Sequence, residues 1–104
     1  MLTRLAILGS VFVFIANTHA NEEGAKLFKK CMACHGADGY GKKSQKAPMI
    51  AGQHEWYIEA QVKAIKSGAR SNNNTKKMVP YVKDLSDQDI KNLASYISQL
   101  PKKS

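Results

Sequence analysis

The amino-acid sequence predicts an all-α domain built on three main helices, with almost no strand. Three stretches carry that reading. Ser86 and Asp89 stand at capping-box spacing ahead of a stripe of Ile90, Leu93, Ala94, Ile97 and Leu100, which Pro101 stops. Residues 53–67 hold a wide apolar arc at helical period, and Gly68 follows as a terminator. Residues 22–33 place Ala25, Leu27, Phe28, Cys31 and Met32 on one side and Lys26, Lys29 and Lys30 on the other. No β-rich run interrupts them.

In chain order, the first segment reads as an address. Arg4 supplies the positive start, Leu5 to Ile15 form an apolar run broken only by Gly9 and Ser10, and Ala20 ends a plausible cleavage site. The layout is that of a secretory signal peptide spanning residues 1–20, cleaved after Ala20. The competing reading, an uncleaved membrane anchor, is disfavoured because the run is short for a bilayer. What remains, residues 21–104, is one domain of 84 residues. Arg4 is the only charged residue lost, so 15 basic and 8 acidic residues remain, net +7. So small a domain buries little surface and usually needs a disulfide, a metal or a cofactor.

In the helix over 22–33, Glu22 and Glu23 occupy the first turn, where the helix dipole favours negative charge. Gly36, Gly39 and Gly41 then mark a loop, and residues 36–53 read as irregular around Pro48. On the second helix Glu55, Glu59, Lys63 and Lys66 share a narrow face, with Glu59 four residues ahead of Lys63. Tyr57, Ile58, Ala60, Val62, Ala64 and Ile65 cover the rest, as expected of a helix packed against something large. Residues 69–85 show no periodicity, and a stretch of that length without regular structure usually serves a function.

The chemistry lies in Cys31-Met32-Ala33-Cys34-His35. Cys-x-x-Cys-His is the attachment pattern of c-type haem: two thiols one helical turn apart add to two vinyl groups, and the adjacent imidazole reaches the iron. A disulfide between Cys31 and Cys34 would close a trivial loop and stabilise little. A thioredoxin-like pair needs a strand before the motif, and a zinc site needs four ligands, which His54 and His19 do not complete. An export signal suits haem attached outside the cytoplasm.

A pure electron carrier is best served by a second axial ligand, and methionine sulfur favours the ferrous state. Met1 and Met32 are badly placed. Met78, 43 residues after His35, has the reach to cross to the opposite face, whereas Met49, 14 residues after it, is better placed on the proximal side. Both stay open on spacing, with His54 a weaker candidate that reads as a solvated helix start.

These residues together resemble a class I cytochrome c of the small bacterial periplasmic single-haem kind. The resemblance covers nearly all of residues 21–104. It rests on Cys31 to Gly36, Pro48 to Gln53 followed by Tyr57, Gly68-Ala69-Arg70, Met78, and Leu85 to Ile90 leading to Tyr96-Ile97. It implies a cytochrome c fold, the three helices wrapped around one covalent haem c, with the N- and C-terminal helices crossing near Phe28 and Tyr96. It implies His35 and Met78 as axial ligands, and a Pro48 carbonyl that accepts a hydrogen bond from the His35 ring. It also sets Arg70, Gln53, Trp56 and Tyr57 near the haem or its propionates. Met49 departs from the pattern, which usually has an aliphatic residue there. Four-helix cytochromes carry the motif near their C-terminus, unlike this chain.

The expected function is periplasmic one-electron transfer without substrate chemistry, so not an enzyme. The expected partners are redox proteins, acidic or membrane-bound respiratory complexes, and the expected state is a monomer. A dedicated electron-transfer subunit of one enzyme is the runner-up, and a haem-free thiol-disulfide protein the contrasting class. No nucleic-acid motif accompanies the basic charge. Lys42, Lys43 and Lys46 after the motif, with Lys76 and Lys77 before Met78, predict a lysine rim that steers acidic partners, against the plainer reading of a solvated basic surface.

Overall fold

The structure, a computed structural model, describes residues 15–103, with side-chain surroundings from Asn21 onward. Arg4 and nearly all of the apolar run assigned to the signal peptide lie outside the described residues. Five α-helical segments follow: α1 (Ile15–Phe28), α2 (Met32–His35), α3 (Glu55–Ser67), α4 (Val79–Val82) and α5 (Asp87–Ser98). Among the described residues no helix is long and apolar enough to cross a membrane. The only strand-type pairing among them is an isolated bridge between Lys42 and Ala47.

The first helix begins earlier than residues 22–33 predict, and its end is more intricate than one helix. It tightens into a 3-10 turn over Lys29–Cys31 and resumes as α2, which Gly36 ends at φ 83°. The change of pitch falls on the attachment motif. Helix α1 crosses α5 at Gly24, where a methyl group would sit 2.5 Å from Tyr96 Cβ and collide with the Asn92 carbonyl. The missing side chain lets the two backbones meet, and the Phe28 and Tyr96 rings lie 5.4 Å apart beside the crossing.

Helix α3 packs on α5 through Ile58, Val62 and Ile65, which are buried, while Glu59 and Lys63 pair at 2.9 Å on the outer face. Its apolar arc is only partly covered: Tyr57 stays exposed, and so does Trp56 at 68%. Gly68 caps the helix at φ 83°, a left-handed conformation that suits glycine. In α5 both arms of the capping box form: Asp89 N–H donates to Ser86 Oγ and Ser86 N–H to an Asp89 carboxylate oxygen, each at 3.0 Å. Helix α5 stops at Ser98, two residues before the end of the predicted stripe.

Residues 69–85, expected to be irregular, contain a 3-10 turn over Thr75–Met78 that runs into α4. The short helix has no repeat long enough to show a period, and Pro80 masks it. Proline is nonetheless tolerated in a first turn, where its N–H would have no partner.

Candidate functional site

The helices and the two long loops leave a cleft of about 470 Å³. Cys31, Cys34 and His35 line one part of it, Pro48 and Met49 another, and Met78 a third. Ile58, Val62, Ile65, Val82, Leu93 and Ile97 belong both to the hydrophobic core and to the cleft wall. The cleft is therefore an opening in the core itself.

The geometry of His35 is set by backbone. The residue is 7% exposed, and its ring Nδ1 lies 3.0 Å from the Pro48 carbonyl oxygen. A carbonyl only accepts, so Nδ1 carries the proton and Nε2 keeps its lone pair for another partner. The loop that brings Pro48 there is pinned to the motif. Gly41 N–H donates to the His35 carbonyl at 2.7 Å, and Gly41, at φ 83°, leaves the space that Pro48 and Met49 occupy. The hydrogen bond that the resemblance implies for Pro48 is thus present as geometry.

Both cysteines are half-buried and free of each other. Burial above all, and then the charge of Cys34, pushes the Cys31 thiol up to about 11, with Lys30 pulling the other way. A thiol so hard to ionise is a poor exchange nucleophile, which disfavours the thiol-disulfide reading. The described residues contain no cluster of three or more His, Cys, Asp or Glu able to hold a metal.

Of the two methionines left open, Met78 is half-buried and packed on the core, whereas Met49 is 41% exposed and follows the residue bonded to His35. Arg70, Gln53 and Tyr57 line the cleft. Trp56 does not; it stacks on the exposed His54 with ring centroids 5.7 Å apart. Lys46 and Lys77 reach the cleft edge, as expected, but Lys42, Lys43 and Lys76 do not line it.

Lys30, Gln61 and Thr75 are among the lining residues that the sequence reading did not single out for the site. Lys30 joins the cleft's basic residues, and Gln61 accepts a hydrogen bond from Arg70 Nη1 at 3.0 Å. Thr75 is buried and locked to Asn72, whose side-chain oxygen accepts the N–H groups of Asn74 and Thr75, each at 2.9 Å. That knot holds the backbone leading to Met78. An Asn three residues ahead of a Thr is the turn signal that could have found it within the run of asparagines.

The charge of the lining is one-sided. Lys30, Lys46, Arg70 and Lys77 contribute to it, and no Asp or Glu does. An apolar slot with two thiols, an imidazole with a free Nε2, a thioether and a basic edge fits a flat, largely apolar, acid-bearing macrocycle that binds a soft metal. The residues present therefore fit a haem.

The comparisons agree with that geometry. A family model described as Cytochrome c matches residues 21–101. The chain is similar to cytochrome c-554(548) of Halomonas halodenitrificans, 41% identical over 68 residues, which cover 65% of this chain and 81% of that one. It is similar to cytochrome c-553 of Helicobacter pylori, 42% identical over 74 residues, 71% of this chain and 74% of that one. The solved structure of reduced cytochrome c4 from Pseudomonas stutzeri superposes with a TM-score of 0.71 at 28% identity, over 81% of this chain and half of that one.

Proposed function

The chain belongs to the cytochrome c family, as a class I c-type cytochrome that carries electrons with haem, and from that premise we propose a periplasmic one-electron carrier with one haem c and His/Met ligation. The observation that carries the reading is the convergence of Cys31, Cys34, His35 and Met78 on one cleft opened in the core. When bound, haem supplies a one-electron iron couple.

The chain's own residues do the rest. Cys31 and Cys34 tether the group through thioether bonds. His35 offers Nε2 to the metal, and the Pro48 carbonyl fixes the tautomer and the plane of the ring. Met78 would offer its sulfur as the second ligand, and a soft donor there would favour the reduced state. Arg70 faces the acid groups. The six core residues of the wall would keep water from a bound haem, so that little reorganisation would accompany a change of charge.

In this reading residues 1–20 are a signal peptide removed after Ala20, and residues 21–104 act as a monomer with no substrate chemistry. Lys30, Lys46 and Lys77 form the part of the basic surface nearest the cleft, and they steer acidic or membrane-bound redox partners. Rates with the natural partner then fall as salt rises; rates that stay flat would remove the steering role.

The test of the whole is the mass and visible spectrum of protein purified from an exporting host. The expected product starts at Asn21, exceeds the polypeptide mass by one haem, and gives a pyridine haemochrome of the thioether type. A colourless product at bare polypeptide mass would overturn the reading.

A further inference from the structure

Arg70 stands just beyond the end of α3, where Gly68 turns the chain back and the Arg70 N–H donates to the Ala64 carbonyl at 3.0 Å. The reversal lays the Arg70 side chain along α3 and over Gln61, nine residues earlier. Both residues line the cleft. Among the described residues no carboxylate lies within ion-pair distance of the guanidinium, and its one side-chain partner is Gln61 Oε1 at 3.0 Å. An exposed arginine without such a tether samples many rotamers, and its charge is spread through solvent.

We propose that Gln61 is a positioning residue for Arg70, holding the guanidinium at the cleft so that its remaining N–H donors meet an acid group of the bound haem. The inference rests on the haem reading above. One guanidinium nitrogen is committed to Gln61, which leaves a planar fork of donors suited to a carboxylate. A cation fixed there favours the less positive, reduced state of the nearby centre, so Gln61 raises the reduction potential through Arg70 while touching no reacting atom.

The test is a double-mutant cycle on the haem-loaded protein, read as reduction potential at pH 7, with thermal unfolding followed in parallel. Gln61→Met keeps the length of the side chain and removes the acceptor. Arg70→Gln is expected to lower the potential, Gln61→Met to lower it by less, and Gln61→Met to have no further effect once Arg70 is replaced. A Gln61→Met potential equal to wild type, or an equal shift in both backgrounds, would overturn the proposal whatever the change in unfolding temperature. Failure of the haem reading would show separately, as protein without a haemochrome.

Discussion

The Pro48 carbonyl has no helix or strand partner and spends its acceptor on an imidazole 3.0 Å away. The bond depends on Gly41, because a side chain there would meet Met49 N at 2.8 Å. Gly41→Ala also forces a positive φ on alanine, so a loss of about 1–3 kcal/mol is expected, read as a lower denaturant midpoint. Spectroscopy tells the two methionines apart. Met78→Ala is expected to abolish the weak red sulfur-to-iron band of the oxidised protein, while Met49→Leu leaves it in place; loss of the band only in Met49→Leu would reverse the assignment. The cysteines, His35 and both methionines were legible in the sequence because their chemistry is local or follows from reach. Gln61 was not, since a glutamine on a helix face acquires meaning only from what the chain brings opposite it, and the local tie of Thr75 to Asn72 went unread.

Helices were legible in proportion to their length and punctuation. Helix α5 announced itself by its cap and stripe, and Ser86→Ala is expected to cost about 1 kcal/mol, checked by thermal unfolding. The α1 and α5 crossing was expected from the family resemblance, with Phe28 and Tyr96 near it, but Gly24, which permits it, gave no periodic signal. Gly24→Ala inserts a methyl group between two backbones and is expected to destabilise by about 1–3 kcal/mol, more than the same change at an open helix face. The short turn leading into α4 went unread because four residues cannot display a period. Beyond α5, Lys103 ties the chain back to the loop through a 2.8 Å pair with Asp38. The hydrogen bond from Lys103, then that from the Tyr40 N–H, holds the Asp38 carboxyl below its ordinary 3.8. The tie is therefore in place above that value and is released as pH falls through the depressed one. In Lys103→Gln the Asp38 titration should move back toward 3.8, followed by carboxyl NMR.

For the molecule as a whole, the decisive fact is that six residues serve as core and as cleft wall at once. Without its cofactor the domain has apolar side chains facing a void, a cost on the order of 24 cal/mol per Å³ where the walls cannot collapse. The Cys31→Ala, Cys34→Ala double variant is accordingly expected to be exported yet largely unfolded. Far-UV circular dichroism equal to that of the haem-bound form would contradict this.

The basic residues around that void lead to one more consequence. With no acid among them, Lys30, Lys46, Arg70 and Lys77 repel one another across the cleft edge. The acid groups of a bound haem would offset that repulsion, so the cleft edge takes up the cofactor's negative charge as well as its ring.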